Sequence, residues 1–290
     1  MTFDYSQAFS RTIGWLSEKE LASLKRKHIA IGGTGGTGGY YALTLARLGV
    51  EHFSLTDSDQ YEMSNLNRQA GAFMHTLGKN KAEVTAAMLT DINPNIKIRI
   101  FSQGVDDTNA DAFLENADLY LNAMGLSSAD IQTSVFEICK RMQIPATSAI
   151  VPGMGVSLIN FHPQRISFDR YFRVKGFRRE EQAMRLLVGH NPRLTMRKYL
   201  LSDERVRFKE YDGPVVPVSC FLAAGIACTE VLKILLNRDN ILWAPWSIQL
   251  DAYLRKLYKT WRPGGNGNIL QRMLLRYLRK RLNLPMDARS

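Results

Sequence analysis

The chain has 290 residues, 45% hydrophobic and 22% charged, with a net charge of +11. That composition suits one large globular domain or two modest ones, with a core that needs no covalent staples. Three scattered cysteines (Cys139, Cys220, Cys228) exclude a disulfide framework, and without a Cys-x-x-Cys pair a four-cysteine zinc site is excluded too.

The charge is uneven. Residues 1–150 carry 13 Lys/Arg against 16 Asp/Glu, so the basic excess lies beyond them, in 163–209 and 272–281. It reads either as a solvated surface or as a site for an acidic partner: a peptide carboxylate, nucleic acid or an anionic membrane. No nucleic-acid motif is present, so a nucleic-acid partner is not predicted. The first residues lack a signal-peptide pattern, and no uncharged apolar run approaches the roughly 20 residues of a membrane span. A cytoplasmic location is therefore expected.

From the N-terminus, short apolar runs alternate with amphipathic stretches, the pattern of βαβ units. Strands are predicted at 28–32, 52–57, 96–101, 118–122 and 146–150. Helices are predicted at 38–48, 79–91, 107–115 and 130–143. Right-handed crossovers then give a Rossmann-like, doubly wound, mainly parallel sheet. After Pro152-Gly153 the pattern changes. A strand at 156–161 follows with no crossover helix, so antiparallel strands are expected to extend the sheet. A helix is expected near 179–188, a long apolar one at 220–237 and a strand near 246–253. Gly264–Gly267 reads as a flexible break. The tail, 263–290, has Leu and Met at helical spacing over 269–284 with Arg and Lys opposite; it is expected to pack on the protein, with weak contact to a membrane surface as an alternative. The expected organisation is one domain over 1–262, nucleotide-binding in 1–150 and substrate-side in 151–262, followed by the tail.

Ile29-Ala-Ile-Gly-Gly33-Thr-Gly35-Gly36-Thr-Gly38-Gly39 lies between a predicted strand and a predicted helix. Glycine tolerates the tight turn and lets phosphate approach the backbone. The helix start directs free N–H groups and its positive dipole end at that anion. Asp57, about 20 residues on, is placed to accept hydrogen bonds from ribose. At this point a dinucleotide and ATP both remain open. The next segment separates them. Asp57-Ser-Asp59 leads to Asn65-Leu-Asn-Arg68-Gln69 and then Gly78-Lys-Asn-Lys81. Arg68 and Lys81 are suited to clamp a triphosphate and to stabilise pyrophosphate as it leaves. Hydride chemistry has no use for such a clamp.

These motifs, in this order, resemble the signature of the ThiF/MoeB/HesA group, the E1-like ubiquitin-activating superfamily, over about 8–162 and more weakly to 262. Gly213-Pro214 with the apolar helix, and Asp251–Lys256 with Gly264-Gly265-Asn266, resemble a bacterial ThiF-like subgroup. The resemblance implies an E1-like adenylation domain. Its implied activity is ATP-dependent adenylyl transfer to the C-terminal carboxylate of a peptide or ubiquitin-like carrier protein, with Mg2+, usually in a homodimer. By the same resemblance Gly33, Gly35, Gly36 and Gly38 hold phosphate, Asp57 the ribose, and Asn65, Arg68, Gln69 and Lys81 the triphosphate, with Asp59 beside them. Arg11 corresponds to an arginine that reaches the partner subunit's ATP.

One element departs. The family carries an Asp-x-x-Asp motif after the fourth strand for magnesium; Asn122 and Gly125 stand there instead. No metal ligands are assigned. Asp130 reads as a helix cap, and Asp59 is an alternative metal ligand. The alternative function is a catalytically silent nucleotide- or peptide-binding module or dimer partner. The three cysteines read as core, with Cys220, at a helix start, the one worth testing as a thioester nucleophile.

Overall fold

The computed structural model describes residues 2–201 and 213–281. In chain order it contains α1 (Tyr5–Ala8), α2 (Glu18–Lys25), β1 (His28–Gly32), α3 (Gly38–Arg47), β2 (His52–Thr56), α4 (Lys81–Ile92), β3 (Lys97–Phe101), α5 (Ala110–Leu114), β4 (Leu119–Asn122) and α6 (Ala129–Arg141). There follow β5 (Ala146–Ile150), β6 (Gly155–Phe161), α7 (Phe168–Phe172), α8 (Arg179–His190), α9 (Pro217–Leu235), β7 (Trp246–Asp251), β8 (Lys256–Trp261) and α10 (Ile269–Arg281). The chain divides into two compact units. The first is 1–123 with 224–241, and the second is 124–223 with 242–290.

In the first unit all strand pairings are parallel, in the order β3-β2-β1-β4. β1 is buried at Ile29, Ala30 and Ile31, as a strand covered on both faces must be. Its near-continuous apolar run is what made it legible. α3 buries Tyr41, Ala42, Leu45 and Ala46. The Cys228 thiol donates to the Tyr41 carbonyl at 3.7 Å, so the returning part of α9 belongs to this core.

The second unit holds the antiparallel strands that were expected. β5 pairs with β6 from Ala146↔Phe161 to Ile150↔Ser157, β6 with β7, and β7 with β8. Phe136, Phe161, Phe168, Tyr171 and Phe172 form one aromatic core, with Phe136 stacked on Phe168 at 4.2 Å between centroids. α9 is the one described helix long and apolar enough to cross a membrane, and more than half of its apolar stretch is buried.

Two expectations are corrected here. Gly264–Gly267 is not a flexible break. It is a tight 3-10 turn in which Asn266 is buried and donates to the Phe172 carbonyl at 2.7 Å and the Arg185 carbonyl at 2.9 Å. Asp130 is not a helix cap. A preceding 3-10 turn at Leu126–Ser128 puts Ser128 in the N-cap position, and Asp130 instead accepts from the Gln182 amide at 2.8 Å. The tail helix packs on the protein as expected: Leu275 and Leu278 join Met184, Val188 and Leu194 in one apolar cluster. Its predicted continuation over 282–284 lies outside the described residues, as do 202–209 of the basic stretch.

Candidate functional site

The glycine loop runs from the end of β1 into α3. Gly33 has φ +87°, in the left-handed region that glycine alone adopts freely. Gly38 is constrained by space: a Cβ there would stand 1.8 Å from the Gly33 carbonyl oxygen. The loop therefore doubles back on itself at van der Waals limits. Thr37, the N-cap of α3, makes no side-chain cap, and the N-terminal end of a helix is the kind of place that suits an anion.

Asp57 closes the loop from the tip of β2. One carboxylate oxygen accepts from the Thr34 N–H at 2.8 Å and the Thr34 hydroxyl at 3.3 Å; the other accepts from the Asp59 N–H at 3.0 Å. Burial pushes its carboxyl above the usual range, opposed by those N–H donors and by the Lys81 charge. The residue expected to hold ribose is thus also a brace that fixes the loop.

Lys81 reaches the same corner through backbone pairing. Gln60 and Asn80 form an antiparallel bridge, and the Lys81 N–H donates to the Asp59 carbonyl at 3.0 Å. The Lys81 ammonium, nearly buried, then stands 2.9 Å from the Asp59 carboxylate, whose side chain is 70% exposed. Asn80 was not singled out from the sequence, yet it organises this corner. Its oxygen caps α4 through Ala82 and Glu83, and its amide donates to the carbonyls of Asp57 at 2.9 Å and Ser102 at 3.1 Å. A cap asparagine just before a helical pattern was the available signal.

Gln69 approaches the loop from the other side, its amide meeting the Cβ position of Gly35 at 3.5 Å. It is buried, and its Oε1 has no hydrogen-bond partner among the described residues. Asn65 turns inward instead: its Oδ1 accepts from the Glu62 N–H at 3.1 Å, so it holds the turn that carries Arg68 and Gln69. Arg68 donates locally, to the Ser64 carbonyl at 2.9 Å and Asn67 Oδ1 at 2.8 Å. Arg11 is exposed on a 3-10 turn, Ser10–Thr12. The loop glycines, Asp57, Asp59, Lys81 and Gln69 are thus brought together, whereas Asn65 and Arg68 are held by their own turn and Arg11 is exposed on another.

The metal donors do not assemble. Asn122 is buried and accepts from the Tyr120 hydroxyl at 3.0 Å, and Gly125 offers no side chain. Among the described residues no group of three or more His, Cys, Asp or Glu side chains is placed to hold an ion. Cys139, Cys220 and Cys228 are all buried, and burial raises the thiols of Cys139 and Cys228, which suits packing rather than nucleophilic attack. Cys220, the one marked for testing, is likewise enclosed. A cleft of about 790 Å3 lies alongside, lined by Ser58, Gln60, Phe73, Lys79, Asn80 and Ser102 among others, but it takes no residue from the glycine loop.

The family model described as "ThiF family" matches residues 9–263. Among curated relatives, the tRNA threonylcarbamoyladenosine dehydratase of Haemophilus influenzae is 30% identical over 142 residues, 49% of this chain and 54% of the relative. The adenylyltransferase and sulfurtransferase UBA4 of Debaryomyces hansenii is 26% identical over 140 residues, 48% of this chain and 31% of that protein. The match thus spans about half the length, or less, of these relatives. Among solved structures, PaaA superposes with a TM-score of 0.67 at 18% identity, covering 90% of this chain and 74% of the other. E. coli MccB with ATP superposes with a TM-score of 0.64 at 19% identity, covering 87% and 69%. At such identities the structural matches speak for the fold.

Proposed function

The chain belongs to the ThiF family, and from that premise we propose that it is an ATP-dependent adenylyltransferase acting on the C-terminal carboxylate of a peptide or small carrier protein. One observation carries the reading. Asp57 closes a glycine loop whose helix start carries no side-chain cap, and the Lys81 ammonium stands 2.9 Å from Asp59, two residues beyond Asp57.

In this reading the helix start holds the phosphates through backbone N–H groups. Asp57 accepts from ribose with the lone pairs it does not spend on Thr34 and Asp59. Lys81 exchanges its contact with Asp59 for the phosphate chain, and Arg68 leaves its local carbonyl to do the same. A substrate carboxylate oxygen attacks the α-phosphorus, the bond to the β-phosphate oxygen breaks, and pyrophosphate departs with the electron pair. The two cations stabilise the charge that collects on it. Arg11 acts across a homodimer. The expected magnesium donors do not fit the ion at Asn122 and Gly125, so no step is routed through a metal.

The reading is supported from outside the chain by the structure of E. coli MccB with ATP and by that of MccB in complex with N-formylated MccA. A second reading is favoured by the lost acids and by a Lys81 already neutralised by Asp59: a silent module that binds nucleotide without turnover.

Exchange of labelled pyrophosphate into ATP tests both. With magnesium and a panel of peptides bearing free or amidated C-termini, exchange that requires a free C-terminus supports adenylation. ATP binding without exchange supports the silent module, and a protein that binds no ATP sinks both readings.

A further inference from the structure

Residues 252–281 contain nine Lys/Arg and no Asp or Glu. α10 occupies the end of this stretch, and it is two-faced in a way that its packing does not exhaust. Its inner face is spent on the protein. Leu275 and Leu278 enter the cluster with Met184 and Val188, Gln271 donates to the Val188 carbonyl at 3.0 Å, and Arg279 pairs with Glu181 at 2.6 Å. Its outer face carries Ile269 (70% exposed), Leu270 (57%), Met273 (62%) and Tyr277 (51%). At helical spacing these four fall within a sector roughly 100° wide. Arg272 and Arg276 flank that sector on one side and Arg281 on the other, with Lys280 in line at its end.

A second cationic group adjoins the stripe. A cavity of about 270 Å3 is lined by Pro192, Arg193, Leu194, Arg197, Lys198 and, from α10, Leu274. The Arg197 guanidinium lies 5.8 Å from the centre of the Tyr277 ring, so the cavity and the stripe share one edge. Arg193 is fixed over Tyr258 at 4.6 Å and donates to the Thr260 hydroxyl at 3.2 Å. Among the described residues no carboxylate pairs with Arg193, Arg197 or Lys198.

We infer that this face docks on an anionic phospholipid bilayer, with the apolar stripe of α10 set into the headgroup boundary and lipid phosphates received by Arg193, Arg197 and Lys198. Both halves of the surface are needed to choose this occupant. A nucleic-acid backbone would satisfy the cations but would leave four exposed apolar side chains in water. A neutral apolar partner would satisfy the stripe but would strand the guanidinium and ammonium groups beside it. An interfacial helix with an apolar sector, basic flanks and no acid has a matching solvent in the boundary layer of a negatively charged membrane. Arginine and lysine at its edges can reach phosphate while their stems stay in the apolar layer. The inference is independent of the adenylation reading, since no residue of the glycine-loop corner takes part.

The test uses the full chain and vesicles. Sedimentation with vesicles of phosphatidylcholine and phosphatidylglycerol at 3:1 is compared with pure phosphatidylcholine at a fixed, near-physiological salt concentration. Binding to the anionic vesicles should be at least tenfold tighter. Ile269→Asp with Met273→Asp, both at exposed positions, should reduce it at least tenfold with the circular dichroism spectrum unchanged. Arg197→Glu with Lys198→Glu should abolish the preference for the anionic vesicles. Equal binding to both vesicle types, no binding to either, or anionic binding that survives the Ile269/Met273 change overturns the inference. So does retention by RNA without retention by vesicles.

Discussion

The ammonium of Lys81 stands 2.9 Å from the carboxylate of Asp59, with the lysine side chain 8% exposed and the aspartate 70% exposed. The pair is asymmetric: the cation is enclosed and its partner faces solvent. An incoming phosphate and Asp59 therefore compete for one ammonium. Asp59→Asn is expected to tighten ATP binding several-fold in the presence of EDTA while leaving adenosine binding unchanged. Lys81→Ala is expected to weaken ATP by about tenfold or more, the scale of one charge-assisted contact, again sparing adenosine. Isothermal titration of both ligands against both variants reads this. A Lys81→Ala change that costs ATP and adenosine equally would remove the lysine from the triphosphate.

The glycines of the loop are not interchangeable, and a matched pair of substitutions separates them. A Cβ at Gly38 would overlap the Gly33 carbonyl oxygen at 1.8 Å, whereas at Gly35 it meets only the Gln69 amide at 3.5 Å, an ordinary contact. Gly38→Ala should displace the loop and reduce ATP affinity by about a hundredfold or more, because the overlap is with backbone that cannot yield cheaply. Gly35→Ala should stay within about fivefold of the parent, since ordinary contact needs no repacking. Equal losses from the two would mean that the loop closes differently around nucleotide.

How far the sequence could lead is clear at particular residues. β1 was readable to the residue because a strand buried on both faces is a short apolar run, while β5 was placed as well although Thr147 and Ser148 interrupt its apolar residues. β8 was not read. Its Lys-Leu-Tyr-Lys-Thr-Trp is an edge strand that keeps lysines outward, so the alternation is weak. α2 was missed although Ser17 and Glu20 form a capping box, since only Leu21 and Leu24 of its eight residues are buried. In the site, the motif residues were named as candidates, but their pairings were not legible. Asp59 meets Lys81 only because Gln60 bridges to Asn80 across about twenty residues of sequence, a contact that no local pattern encodes. Asn65 and Arg68 were assigned to the ligand by motif, and here they serve their own turn first.

The attachment of α10 rests on a buried carboxylate shared by two guanidinium groups. Glu181 accepts from Arg185 Nε at 2.8 Å and from Arg279 at 2.6 Å, with its side chain 8% exposed. Removing the carboxylate leaves two cations facing each other in a poorly solvated place. Glu181→Ala should therefore destabilise the protein by about 3–5 kcal/mol. Arg279→Ala should cost less, because Glu181 keeps Arg185. Urea unfolding of the two variants checks the order, and no loss from either would mean that α10 is held by its apolar face alone.

His190 gives the fold a one-sided pH dependence. The ring is fully enclosed, its Nδ1 2.9 Å from the Leu186 carbonyl and its Nε2 2.8 Å from the Ser148 hydroxyl. Nδ1 therefore carries the proton and donates, and the serine hydroxyl donates to Nε2. That arrangement suits the neutral ring. Burial accordingly pulls the imidazole down from 6.5 to about 4. Above pH 6.5 neither the folded nor the unfolded chain protonates this ring, and its neutral bonds contribute in full. As pH falls from 6.5 toward 4 the unfolded chain takes up a proton that the folded chain refuses, so stability drains away over that window, by about 3 kcal/mol at its end. His28, also pulled down to about 4 by burial, adds a loss of the same sign. The free energy of urea unfolding measured at intervals from pH 7.5 to pH 4 should fall across this window in the parent protein. In His190→Gln, whatever its starting stability, the slope should be shallower by about one proton. An unchanged slope in that variant would show that the ring is already free to protonate in the folded state.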